Sequence, residues 1–153
     1  DVERNITRAN ELPNIRVVFD VVVQIYNIMN ITDLLRYCDE RKYMVQAHFL
    51  VGPEYLNVNV LPMNVRNIAK AKLERYMEIN NPIPENLKVA RYMVNYLNQN
   101  ENVHKKELYR QFMLFTNDMD KSRSQSFQHA HSELLALLQQ NGLKWTTETL
   151  HAA

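Results

Sequence analysis

The stretch Ile15-Arg-Val-Val-Phe-Asp-Val-Val-Val-Gln-Ile-Tyr26 decides the fold. In an extended chain Ile15, Val17, Phe19, Val21, Val23 and Ile25 share one face, and Arg16, Val18, Asp20, Val22, Gln24 and Tyr26 share the other. The first face is wholly apolar and the second is mixed. A helix is expected from about Thr32 to Arg41, with Asn30 placed to cap it, Asp33 three residues on, and Leu34, Leu35 and Cys38 as its apolar stripe. A second strand near Met44–Val51 sets Val45, Ala47, Phe49 and Val51 against Gln46 and His48, and Gly52-Pro53 breaks it. A third, Leu56–Leu61, alternates Leu56, Val58 and Val60 with Asn57 and Asn59 until Pro62 ends it.

Strand, helix, strand is the parallel crossover unit, and it implies an α/β sheet, closed or open. Arg16, Asp20, Gln24, His48 and Asn59 are then expected to point away from the covering helices, toward a lumen or crevice. Ligands of such sheets sit at the carboxyl ends of the strands. That rule singles out Gln24, Tyr26, Asn27, Asn59 and the turn at Leu61-Pro62.

From about Asn64 onward the periodicity is helical. Val65, Ile68, Ala69, Leu73, Tyr76 and Met77 mark one helix, whose other face carries Arg66, Lys70, Lys72 and Arg75. Asn80-Asn81-Pro82-Ile83-Pro84 stops it. Leu87, Ala90, Met93, Val94 and Leu97 mark a second helix, and Leu108, Phe112 and Phe115 a third. Phe127, Ala130, Leu134, Leu137 and Leu138 mark a fourth, ended at Gly142. The Pro82–Pro84 loop divides the chain into an α/β segment, residues 1–80, and a helical C-terminal region, residues 81–153.

Length and composition narrow the function. The chain has 153 residues and a net charge of +1, which suits one domain and supplies no overall field to attract nucleic acid. Its apolar runs are too short to cross a bilayer. A single cysteine, Cys38, forbids an internal disulfide and any site built from several thiolates, and fits a reducing, cytoplasmic setting. Only two glycines are present, too few for a Gly-rich phosphate loop. The first residue is Asp1 rather than Met, so the sequence is expected to begin inside a longer reading frame.

The residues that could carry chemistry each have a plainer role. His129 and His131 are two apart, which on a helix puts them on different faces and argues against a metal pair. His48 on a strand's polar side could bind a ligand or move a proton, but a hydrogen-bonded interior histidine is the expected role. Cys38 beside Asp39 is expected to be a buried structural thiol, because an acidic neighbour raises its pKa. Arg66, Lys70, Lys72 and Arg75, interrupted by Glu74 and Glu78, read as a solvated helix face. No Gly-x-Ser-x-Gly turn surrounds the serines in 122–132, which argues against acyl transfer.

Three stretches in this order, Asp20–Leu35, Gly52–Pro62 and Phe115–Arg123 followed by Ser132-Glu-Leu134, resemble the C-terminal part of twitch-type radical S-adenosylmethionine proteins of phages and bacteria. The resemblance runs from about Leu12 to Leu138. It implies a partial (β/α) barrel of parallel strands followed by helices. An N-terminal half would carry Cys-x3-Cys-x2-Cys around a four-iron four-sulfur cluster. There S-adenosylmethionine is cleaved to a radical that abstracts hydrogen from a substrate. By the family pattern Asn27 lies near the nucleoside, Leu61-Pro62 near its adenine end, and Asp120, Lys121 and Arg123 form a structural, ion-paired helix. The cluster cysteines are not in this chain, Ser124 stands where family members tend to carry Gly, and Ser132 where they tend to carry Pro.

Gln24, Asn27, Asn59 and Pro62 are therefore the expected cofactor-binding residues, with no catalytic residue and no metal ligand in this chain. The leading expectation is the C-terminal portion of a radical S-adenosylmethionine enzyme, inactive alone and partnered by a missing N-terminal half or a separate chain. The alternative is a non-catalytic protein–protein interaction module reusing the scaffold, completed by a partner or a second copy, since an incomplete barrel exposes strand edges. Neither nucleic acid nor membrane is an expected partner.

Overall fold

A computed structural model of the chain describes residues 2–79, 81–99 and 105–149. Helix α1 (Val2–Asn10) precedes β1 (Val18–Val23), α2 (Ile31–Glu40) and β2 (Met44–Phe49); α3 (Met63–Ile79), α4 (Pro84–Leu97), α5 (Lys105–Arg123), α6 (Phe127–Ala130) and α7 (Ser132–Gln140) follow. Among the described residues β1 and β2 form a two-stranded parallel sheet, with Val18 opposite Met44 and Val23 opposite Phe49. The fold is thus α/β, mostly helical, around one parallel crossover unit.

The alternation in β1 and β2 decides which side is covered. Val23 and Val45 are buried, and Phe49 lies flat against Tyr96 of α4 with ring centroids 3.6 Å apart. Phe19 packs edge-on against Tyr37 of α2 and stacks on Tyr43. Helices α2 and α4 therefore cover this face. The other face is bare: Val18 and Val22 are 39% and 48% exposed, and Asp20, Gln46 and His48 are exposed beside them.

Helix stripes follow the sequence pattern. Leu35 and Cys38 of α2, Val65, Ala69, Leu73 and Tyr76 of α3, and Ala90, Met93 and Leu97 of α4 are buried in one continuous core that runs across the Pro82–Pro84 turn. Asn80 of that turn and the first residue, Asp1, lie outside the described residues. Pro84 begins α4, where its missing N–H costs nothing. Gly142, at φ 76°, ends α7: its N–H bonds Gln139 O and that of Leu143 bonds Leu138 O, the paired closure that requires a left-handed residue.

The structure corrects several expectations. The first strand spans six residues rather than the whole of 15–26. Asn30 precedes α2 but makes no side-chain cap bond. The expected third strand is two 3-10 turns, Glu54–Leu56 and Val58–Val60. They join at Asn57, whose Oδ1 accepts from the N–H of Asn59 and whose Nδ2 donates to Leu50 O and the Tyr96 hydroxyl. The expected fourth C-terminal helix is broken at His131 (φ −127°, ψ 41°) into α6 and α7. Helix α1, absent from the sequence reading, buries no residue.

Candidate functional site

The residues expected to bind a cofactor are engaged within the protein. Asn27 Oδ1 accepts from the Gln24 N–H at 2.9 Å, and its Nδ2 donates to Val22 O at 2.8 Å. It thereby closes the turn that ends β1. Asn59 Oδ1 accepts from Arg66 Nη1 at 3.3 Å. Pro62 offers its carbonyl to the Arg66 N–H at the start of α3. Gln24 is half-buried at the mouth of the turn, with its carbonyl accepting from the N–H groups of Asn27 and Ile28. Asn27 and Asn59 thus spend side-chain atoms on the protein itself, whereas Gln24 and Pro62 contribute main-chain carbonyls.

Other candidates move too. His48 is not interior: it is exposed on the bare sheet face, 3.3 Å from the Asp20 carboxylate. Arg66 is not on a solvated face but fully buried, donating to Gln99 O at 2.7 Å and Leu97 O at 3.4 Å at the end of α4. Lys72 donates to Glu133 at 2.7 Å and to Met29 O, and Lys70 to Asn98. Cys38 is buried as expected, and burial, reinforced by Asp39, pushes its thiol up to about 11. One inert thiol does not fit an iron–sulfur cluster. Among the described residues no three His, Cys, Asp or Glu side chains gather as metal ligands, and no helix is long and apolar enough to cross a membrane.

The groups that do converge lie just beyond the carboxyl end of β1. There Tyr26 faces the end of α5 and the start of α6 across an open cleft of about 710 Å³. Its aromatic side is built on Phe112 and Phe127. By ring centroids Tyr26 sits 5.4 Å from Phe112, 5.9 Å from Phe127 and 5.8 Å from His131, and Trp145 stacks on Phe127 at 4.6 Å.

The polar side is set by helix ends. Thr116 donates its single hydroxyl proton to Phe112 O at 2.7 Å, so it accepts from the Tyr26 hydroxyl at 2.6 Å. Burial raises the Tyr26 pKa, so the phenol stays protonated. Asp120 Oδ2 accepts from the Phe127 N–H at 2.7 Å, anchoring the first turn of α6 to α5. Ser126 caps the same turn, accepting from the His129 N–H. Burial lowers the His131 pKa, opposed by Asp120, which leaves the imidazole neutral at neutral pH. The expected ion-paired helix at Asp120, Lys121 and Arg123 is absent: none of the three makes an ion pair among the described residues.

Of these residues the strand-end rule had marked Tyr26, and the resemblance had marked Asp120 and Arg123. His131 enters the sequence reading only as half of a rejected metal pair with His129, Phe127 only as a helix position, and Trp145 has no signal in the periodicity. The chain matches no protein-family model, no curated protein and no solved structure.

Proposed function

We propose that this chain is the C-terminal portion of a radical S-adenosylmethionine enzyme, a section of barrel wall with helices on its substrate side. The cluster cysteines come from another part of the polypeptide or from a partner chain. The observation that carries the reading is the parallel sheet covered by helices on one face only. A doubly wound sheet is covered on both faces, whereas a barrel wall is covered outside and looks inward with the other side. Val18, Asp20, Val22, Gln46 and His48 would then be lumen residues.

The sheet edges support the same reading. The outward N–H of Val45 on β2 is taken by Asn86 Oδ1 of α4 at 2.8 Å, which blocks that edge locally. Further strands would therefore add beside β1, the side on which an N-terminal half would arrive. The cleft beside Tyr26 lies at the carboxyl end of β1, where barrel ligands bind.

The test is to read the coding DNA on the 5′ side of Asp1 and purify the whole reading frame anaerobically. An in-frame Cys-x3-Cys-x2-Cys, stoichiometric iron and sulfide, and reductive cleavage of S-adenosylmethionine are the expected results. A frame without the cysteine triplet, giving iron-free protein, would overturn the reading.

The bare face also favours a second reading, a non-catalytic module whose sheet is completed by a partner protein or a second copy. Val18 and Val22 give that face an exposed apolar residue on either side of Asp20. Light scattering of the chain alone separates the two: a dimer lost on Val22→Lys supports the module, and a monomer at high concentration removes the second-copy form of it.

A further inference from the structure

We infer that the cleft beside Tyr26 binds a free α-amino acid with a large apolar side chain, its ammonium group on Asp120 and its carboxylate on Arg123. The inference stands apart from the barrel reading, because it uses only groups that this chain brings together itself.

The charges carry it first. Asp120 and Arg123 are three residues apart on α5, the spacing at which opposite charges on a helix ordinarily meet. Both line the cleft, yet they make no ion pair with each other or with any other described residue. Asp120 is held by α6: its Oδ2 accepts from the Phe127 N–H, and its main-chain carbonyl accepts from the Gln125 N–H at 3.0 Å. Its other oxygen has no hydrogen-bond partner among the described residues. Arg123 ends α5 on the surface, where Ser124, at φ 52°, turns the chain away. Asp120 is thus anchored through one oxygen, and both charges remain without an ion-pair partner among the described residues.

Two charges of opposite sign lining one cleft select the ligand class. A simple anion would meet Asp120, and a simple cation would meet Arg123. A zwitterion satisfies both, and the head group of an α-amino acid carries its two charges on one carbon, a fit to side chains whose Cβ atoms lie about 5–6 Å apart. The Tyr26 hydroxyl, having donated to Thr116, keeps a lone pair for an ammonium proton. His131, neutral at neutral pH, adds no competing charge.

The rest of the cleft selects the side chain. A volume of about 710 Å³ greatly exceeds a glycine-sized head group and lies within the range of small-molecule sites. Phe115, Met119, Tyr26 and Phe127 supply the apolar lining, with aromatic edges and a thioether suited to a ring or a long aliphatic chain.

Calorimetric titration of the intact chain tests this with phenylalanine, leucine, methionine, glycine, N-acetylphenylalanine and phenylalaninamide. The large amino acids should bind at least tenfold tighter than glycine, and tighter than either derivative that lacks one charge. Asp120→Asn keeps an acceptor for the Phe127 N–H, so α6 stays capped. It should weaken phenylalanine roughly tenfold yet leave N-acetylphenylalanine unchanged. Arg123→Gln should weaken phenylalanine similarly and leave phenylalaninamide unchanged. The inference is overturned if no large amino acid binds better than glycine. It is also overturned if the derivatives bind the unmodified protein as well as phenylalanine does, a comparison that needs no variant to fold.

Discussion

Two polar clusters built from similar residues serve opposite ends. On the helix-covered side of the sheet, Asp39 accepts from the Tyr76 hydroxyl at 2.6 Å, from Asn86 Nδ2 at 2.9 Å and from the Ile83 N–H at 3.2 Å. Asn86 also donates to Tyr43 O and accepts from the Val45 N–H. Five segments are joined this way, and every polar atom of the two side chains is used. At the junction of α5 and α6, Asp120 uses one oxygen, Arg123 none of its nitrogens, and the cleft around them is open. A saturated network fixes one arrangement of the chain, and an unsaturated one on a fixed frame is left for something else to complete.

The sharpest way to break the comparison is to cut each cluster once. Asn86 is fully buried, and Asn86→Ala strands the Val45 N–H, Tyr43 O and part of the Asp39 carboxylate. The expected loss is about 3 kcal/mol in urea unfolding. Asp120→Asn, which keeps its acceptor, should cost under about 1 kcal/mol. Equal losses would mean that the α5–α6 junction is as structural as the interior cluster.

Asn27→Ala gives the next effect. It removes two hydrogen bonds that end β1, and a loss of about 1–2 kcal/mol is expected in the same unfolding measurement. A chain of unchanged stability would return Asn27 to the role the resemblance gave it, a group kept for a bound nucleoside.

How much of this was legible follows from where each signal resides. Alternation in Phe19, Val21 and Val23 and the helical stripes survive because burial acts residue by residue, so the parallel pair and the helix faces could be read. Leu56, Val58 and Val60 alternate just as well, but Asn57 folds back on the Asn59 N–H and turns the segment instead of extending it. His48 is expected inside because the polar face is read as lining a lumen or crevice, and among the described residues that face is bare. Arg66 falls on the Ala69–Leu73–Tyr76 stripe by spacing alone, yet its charge argued for solvent; the end of α4 that receives it is set by tertiary packing. The cleft was half legible. Tyr26 follows from the strand end, whereas the anchoring of Asp120 depends on the backbone N–H of Phe127, seven residues on, which no helical spacing encodes.

A pH titration sharpens the contrast further. The folded His131 pKa lies below its unfolded value of 6.5 because burial disfavours the charged ring, with Asp120 partly opposing. As pH falls through 6.5 the unfolded chain takes up the proton first, so stability is full above that pH and declines below it. His131→Gln should flatten this part of the profile. If the decline persists unchanged, it originates elsewhere in the chain.

The smallest effect on stability separates the two faces of the sheet. Val22 is 48% exposed and its neighbour Val23 fully buried, so adjacent residues of one strand sample opposite surroundings. Val22→Lys removes little buried area and should change the unfolding free energy by no more than about 0.5 kcal/mol. Were the bare face to be the inner wall of a barrel, the same lysine would enter a packed lumen once the missing strands were present, and its charge would need a partner there. In the whole reading frame Val22→Lys should therefore lower the melting temperature by several degrees, about 2–4 °C for each kcal/mol lost. Indifference in both contexts would leave the face on the outside of the finished protein and remove the barrel from consideration.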